Sequence, residues 1–179
     1  MKRREKVIIR NVRKKAEKYE KIGGCSQSVL LALQEEFNVG CLESFKAATA
    51  LSGGVARYGE TCGALLGALM FLGIIYGREK IEDYETYVKV VELSGSIREK
   101  FMKELEEEFG FREKLKTTLC RDIQKRIFGR SFNLRDPGEY QAFIDSGAHT
   151  RKGCVKVCGI AAKIAAEKAL EILSRKRSS

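Results

Sequence analysis

Thr61-Cys62-Gly63-Ala64-Leu65-Leu66-Gly67-Ala68-Leu69-Met70-Phe71-Leu72-Gly73-Ile74-Ile75-Tyr76 is the stretch on which the fold turns. From Gly63 to Tyr76 it carries no charged side chain. A helix this apolar on every face has to be enclosed by other helices. It falls short of the ~20 residues needed to cross a bilayer, so it reads as a buried core helix over about 62–77. Gly63 and Gly67, with Ala64 and Ala68, form ridges of small residues that let neighbouring backbones approach closely. Thr61 is placed to cap the helix.

Reading outward from this stretch gives more helices. Upstream, the glycine-rich loop Gly53-Gly54-Val55-Ala56-Arg57-Tyr58-Gly59-Glu60 carries one arginine and one glutamate. A short helix over about 42–51 precedes it, after a turn at Asn38-Val39-Gly40. Cys25 and Ser26 open a helix through Phe37 that is apolar at Val29, Leu30, Leu33 and Phe37. Gly23-Gly24 stops a basic amphipathic helix over 1–21, whose Ile9, Val12, Ala16 and Tyr19 share a face. Its exposed side is stiffened by pairs such as Glu17–Lys21.

Downstream, a long helix from Ile81 to Phe109 presents Val90, Leu93, Ile97, Phe101 and Leu105, with a possible bend at Gly95 and a stop at Gly110. Residues 117–128 form a short helix beginning near Cys120. Asp136-Pro137-Gly138-Glu139 has the pattern of a capping box with proline at the first helical position. That helix stops at Gly147, and an alanine-rich helix follows over about 153–174. No stretch alternates as a strand does. The expected fold is all-α, an irregular bundle of about seven helices in a single domain, 1–179.

The formal net charge of +10 is confined to the ends. Residues 1–21 hold ten Lys/Arg against three Asp/Glu, the tail 174–179 holds three basic residues, and the rest carry 21 of each sign. With no net field over the body, nucleic-acid binding is disfavoured, and the basic ends read as solvated surface. Lys2-Arg3-Arg4 is followed only by Val7-Ile8-Ile9, too short for a secretory signal. The six cysteines therefore read as cytoplasmic thiols rather than a disulfide framework.

Four of these thiols, Cys25, Cys62, Cys120 and Cys154, stand at expected helix starts. There, unpaired N–H groups and the positive end of the dipole favour the thiolate. Cys158 follows Cys154 by one turn on the same face. The sequence has no Cys-x-x-Cys, which excludes a thioredoxin-type motif and a zinc knuckle; covalent haem attachment is excluded with it. A single histidine, His149, argues against mixed His/Cys zinc sites and against a Cys-His-Asp triad. All-thiolate coordination suits zinc or an iron–sulfur cluster. Cys41 and Cys158 read as small buried hydrophobes.

Cys62-Gly63-Ala64-Leu65-Leu66-Gly67 closely resembles the signature of the C_GCAxxG_C_C family of redox-active proteins. Gly24-Cys25-Ser26-Gln27-Ser28-Val29 is similar to that family's first cysteine motif, Leu119-Cys120-Arg121-Asp122-Ile123 to its third, and Cys154, ahead of Ala161-Ala162, to its fourth. The resemblance covers about residues 10–173. It departs from the family pattern at Val155, where proline usually follows the last cysteine, so Cys158 is a candidate substitute for Cys154. Cys41 matches no family position.

The resemblance implies a prokaryotic redox-active or metal-binding cysteine protein. A similar domain occurs in split-Soret cytochromes, where a four-cysteine iron–sulfur cluster lies beside a separate haem region. Nothing in this chain is like that haem region. The resemblance thus favours a 2Fe–2S cluster over zinc, on Cys25, Cys62, Cys120 and Cys154. Arg57, Arg121 or Lys152 would offset its negative charge. Arg57, Glu60, Gly63 and Gly67 are the supporting residues, with Glu60 either orienting Arg57 or capping the helix.

Three functions remain open on the residues. The first is electron transfer or redox sensing through such a centre, with a redox partner of unknown identity and a homodimer as the expected assembly. The second is metal-free thiol–disulfide chemistry by a pair including Cys62 and Cys25. The third is a helical interaction module with incidental cysteines. No acid–base pair or triad identifies a catalytic turnover.

Overall fold

The computed structural model describes residues 3–176, apart from the Lys176 side chain, so Met1, Lys2 and the end of the expected basic tail lie outside the described residues. Among the described residues there are eight α-helices, one 3-10 turn and no strand. They are α1 (Arg3–Glu20), α2 (Cys25–Phe37), α3 (Leu42–Ala47) continuing into the 3-10 turn Ala48–Leu51, α4 (Gly63–Tyr76), α5 (Tyr84–Phe109), α6 (Cys120–Phe128), α7 (Pro137–Asp145) and α8 (Cys154–Lys176). No helix is long and apolar enough to cross a membrane.

Local signals place most boundaries. Gly24 and Asn38 flank α2 in left-handed conformation, and the Asn38 N–H returns to the Gln34 carbonyl. Asp83 caps α5 by accepting from the Thr86 N–H, so α5 starts three residues later than the periodicity predicts. It runs through Gly95 without a break and ends at the left-handed Gly110. Asp136 caps α7 by accepting from the Glu139 N–H (2.8 Å), with Pro137 at the first position. The Glu139 side chain does not complete the capping box; it pairs with Arg130 at 2.9 Å. Thr61 is no cap either, because α4 begins one residue later with Cys62 at the cap position.

The centre of the bundle is α4, packed against α2, α5 and α8, while α1 lies along α8 and α2. Val12, Ala16, Leu30, Leu33, Ala64, Ala68, Phe71, Ile97, Phe101, Leu105, Ile160 and Ile164 fill the main core. The enclosure of α4 is incomplete: Leu66, Leu69, Met70, Ile74, Ile75 and Tyr76 are half-buried and Gly73 is exposed. A small satellite core, Phe132, Leu134, Phe143 and Ala148 with Phe128 and Tyr140 against it, packs under α7. The pair expected between Glu17 and Lys21 is replaced by Arg13–Glu17 at 3.1 Å. Arg13 also forks onto Glu108 of α5, at 2.8 and 2.6 Å.

Candidate thiol centre

The helix starts and the satellite core meet around one cavity of about 90 Å³. Its wall includes Cys25, Cys62, Cys120, Cys154 and Cys158, together with Glu20, Arg57, Tyr140, Phe143 and His149. Cys25, Cys120 and Cys154 are the first residues of α2, α6 and α8, and Cys62 caps α4. Four helix N-termini therefore bring sulfur to the same space from positions 25, 62, 120 and 154. Cys41 is elsewhere: it is exposed and caps α3, where its N–H donates to Ser44 Oγ at 3.2 Å.

The glycines of the central motif are explained by the atoms they admit. A Cβ on Gly63 would sit 2.5 Å from Cys25 Sγ and 2.8 Å from the Leu51 carbonyl oxygen. One on Gly67 would collide with the Ser26 carbonyl, where α2 crosses α4. Gly54, with φ of 72°, leaves room for Cys120 Cβ, which an added carbon would approach to 2.7 Å. Close approach and positive φ both demand glycine here.

Two cysteine-bearing segments are tied directly to each other. Thr61 and Leu119 form an isolated antiparallel bridge. The Cys62 N–H donates to the Thr118 carbonyl at 2.9 Å and the Cys120 N–H to the Glu60 carbonyl at 2.6 Å. Glu60 spends its carboxylate on Arg121, at 2.7 Å, rather than orienting Arg57 or capping α4. Of the three cations expected near the sulfurs, Arg57 alone lines the cavity; Arg121 and Lys152 do not.

The electrostatics reverse one expectation. Backbone N–H groups do point at sulfur, those of Ser26 and Gly53 at Cys25 and those of Ala64 and Leu65 at Cys62, and they favour the thiolate. Burial outweighs them. It pushes the Cys62 and Cys120 thiols up to about 12, and raises those of Cys25, Cys154 and Cys158 as well. Gln124 adds one further stabilising bond, donating from Nε2 to Cys120 Sγ at 3.3 Å while its Oε1 accepts from the Phe132 N–H. The protein as described thus holds its cavity thiols neutral.

Two wall residues, Glu20 and His149, had no place in the site expected from the sequence. Glu20 is 2% exposed, although it ends a basic helix. Its carboxylate accepts from Ser28 Oγ at 3.3 Å and faces His149 Nδ1 at 3.2 Å. That same nitrogen lies 3.1 Å from the Glu20 carbonyl oxygen, so two acceptors fix the proton on Nδ1. The hydrogen-bonded carboxylate raises the His149 pKa. A signal for Glu20 existed, since it continues the buried series Ile9, Val12 and Ala16 by one turn. Cys158, the candidate substitute for Cys154, is fully buried, and its thiol donates to the Cys25 carbonyl at 3.7 Å. It is a wall residue beside Cys154, not a distant core thiol.

Among the described residues, no three or more His, Cys, Asp or Glu side chains are arranged closely enough to hold a metal ion. The five cysteines nonetheless line one cavity, and soft thiolates are the kind of ligand that zinc and iron–sulfur clusters take.

A family model described as "Putative redox-active protein (C_GCAxxG_C_C)" matches residues 24–168, a span that takes in all five cavity cysteines. Neither the curated proteins nor the solved structures yield a match. The chain belongs to the C_GCAxxG_C_C family of redox-active proteins.

Proposed function

We propose that the cavity is a redox centre in which Cys25, Cys62, Cys120 and Cys154 bind an iron–sulfur cluster, of 2Fe–2S type, for electron transfer or redox sensing. The observation that carries this reading is the arrival of four helix N-termini, each with a thiol, at one cavity. Once bound, such a cluster supplies one-electron transfer at a potential set by nearby charge and hydrogen bonds. The chain's own contribution is electrostatic. Helix-start N–H groups at Cys25 and Cys62, and the Gln124 amide at Cys120, stabilise sulfur in its anionic form. To serve as ligands the thiols must give up their protons, so loading is coupled to proton release.

The raised thiol pKa values weigh against metal-free thiol–disulfide exchange by Cys25 and Cys62, since the neutral thiol is a poor nucleophile. On the favoured reading six unpaired cysteines suit the reducing cytoplasm. The half-covered end of α4 and the exposed Tyr84, Tyr87, Val88 and Val91 on α5 support self-association as a dimer.

The test is iron and acid-labile sulfide analysis, with a visible spectrum, on protein prepared without oxygen. Iron and sulfide are expected in the wild type, lost in Cys62→Ser and Cys120→Ser, and kept in Cys41→Ser. Colourless protein without iron, carrying two thiols that titrate reversibly, would move the assignment to the dithiol pair.

A further inference from the structure

We propose that the outer face of α1 is a docking surface for an anionic lipid bilayer, held to the phosphate headgroups by a straight row of cations. The proposal is independent of what the thiol cavity holds. Arg3, Lys6, Arg10, Lys14, Lys18 and, directly after the helix, Lys21 follow one another at steps of three or four residues, so they line one side of α1. All six are exposed, and from Arg3 to Lys18 the row is about 22 Å long. None of the six is in an ion pair among the described residues. The cations that do pair stand on the two flanks: Arg13 with Glu17 and Glu108, and Lys15 with Glu35 and Glu36. Glu17, the acid of α1 nearest the row, is turned to Arg13 and Arg151, and its side chain is only 12% exposed.

The fold gathers charge that the chain keeps at its two ends. α1 runs antiparallel to α8: Glu5 and Ile9 share a surface recess with Leu170 and Ser174, while a Cβ on Gly159 would lie 2.7 Å from Glu17 Oε1. The Arg3 end of the row therefore sits beside the C-terminal end of α8, which carries Arg175. The acids of this part of α8 are already engaged, Glu167 by Lys100 and Glu171 by Lys168 and Arg175. With 21 charges of each sign over the rest of the chain, most of the net positive charge lies on one side of the bundle. A single exposed cation holds no ion. A row of them meets a polyanion, because each contact releases a condensed counterion to solution.

Geometry favours a plane over a duplex. A nucleic acid presents its phosphates on a winding track, and its major groove admits a helix that stands clear of its own protein. α1 instead lies packed along α8 and α2. A bilayer presents headgroups in a plane, which a straight row touches along its whole length. The contact is with headgroups alone. An interfacial helix buries an apolar face in the acyl boundary, whereas Ile9, Val12 and Ala16 of α1 are committed to the core and Val7 is its one exposed large apolar side chain among the described residues. Attachment is therefore electrostatic and reversible by salt. The row ends at Lys21, next to Glu20 of the cavity wall, so a docked protein holds its thiol centre near the membrane surface.

The test is co-sedimentation of the full chain with vesicles of phosphatidylglycerol and phosphatidylcholine in equal parts, against vesicles of phosphatidylcholine alone. Binding to the anionic vesicles and not to the neutral ones is expected. Arg10→Gln and Lys14→Gln together should weaken it on the order of 30-fold, from about 1 kcal/mol for each cation near the surface. Both positions are exposed, so the fold, followed by circular dichroism, should be kept. Lys116→Gln with Lys125→Gln removes the same charge from exposed positions outside α1 and should leave binding unchanged. Raising the ionic strength from about 0.01 to 0.1 M shortens the Debye length from about 30 to 10 Å and should release most of the protein.

Equal binding to neutral vesicles, retention at the higher salt, or indifference to the Arg10 and Lys14 changes overturns the proposal. So does an equal loss with the Lys116 and Lys125 pair, which would mean a response to net charge and not to this face. A DNA duplex of random sequence is titrated in the same buffer. Tighter binding per phosphate to the duplex than to the anionic vesicles overturns the membrane assignment and gives the row to nucleic acid. Binding to neither leaves the row solvated or facing an acidic protein, and overturns it as well.

Discussion

Gly63→Ala is the substitution that separates a motif glycine kept for a sulfur from one kept for helix packing alone. The added methyl carbon would lie 2.5 Å from Cys25 Sγ, 2.8 Å from the Leu51 carbonyl oxygen and 3.3 Å from Ser52 Cα. Ordinary contacts between heavy atoms lie near 3.5–4.0 Å, so the sulfur and the Leu51–Ser52 backbone must each retreat by the better part of an ångström. The side chain can swing; the backbone cannot, because Ser26 Oγ clamps it by donating to the Ala48 carbonyl at 2.7 Å and lying 2.8 Å from Ser52 Oγ. Overpacking of this kind costs about 1–3 kcal/mol. Replacing a helical glycine returns at most ~1 kcal/mol, less at a first-turn position.

The net expectation is a loss of about 1–2 kcal/mol in urea unfolding, together with displacement of Cys25 and, on the proposed cluster reading, a matching loss of iron. Gly73→Ala is the control: a Cβ there meets nothing within 4 Å, so it should stabilise by about 0.5–1 kcal/mol and leave iron untouched. Gly67→Ala should destabilise through the α2–α4 crossing, since its obstacle is the Ser26 carbonyl rather than a sulfur. If Gly63→Ala proves as stable and as iron-replete as Gly73→Ala, the reasoning from close approach fails.

Further outcomes follow from the electrostatics. Burial raises the cavity thiols above their ordinary value of 9.0, so unfolded chains ionise first as pH climbs. Metal-free protein should keep this contribution below pH 9 and lose stability progressively between about 9 and 12, by up to ~1.4 kcal/mol per pH unit per thiol. Urea midpoints from pH 7 to 10 measure it, and Cys62→Ser should flatten the slope. Metal uptake should show the opposite trend, rising with pH, because each ligand must shed a proton; zinc titrations at pH 6, 7 and 8 would reveal a flat response if the thiols were already ionised. Glu20→Gln should lower the His149 pKa, followed by NMR, and should make the cavity thiols easier to ionise, followed by thiolate absorbance. In the wild type the raised His149 pKa contributes stability below the ordinary 6.5, and this is lost as pH rises through the folded value. Cys41→Ser should change neither iron content nor the number of slow-reacting thiols, since Cys41 is exposed and outside the cavity.

What the sequence by itself determined is local. Apolar spacing, a proline behind Asp136 and glycines at the ends of helices act within a turn or two of chain; they gave an all-α bundle of about seven helices, close to the eight among the described residues, and put Cys25, Cys62, Cys120 and Cys154 at helix starts. The Cys62-to-Gly67 motif was equally legible as a signature, but not why Gly63 must lack a side chain, because the atom it makes room for belongs to residue 25.

Tertiary packing alone decided that five sulfurs share a wall, that Glu20 turns inward to meet His149, and that Cys41 stays outside. It also settled the balance of charge at sulfur. A helix dipole is a property of one segment and can be read from it. Desolvation is imposed by every neighbour at once, and here it outweighs the dipole and keeps the thiols protonated. Strain belongs with it: nothing in Val55-Ala56-Arg57 favours a left-handed turn, which persists because the surrounding chain holds it closed.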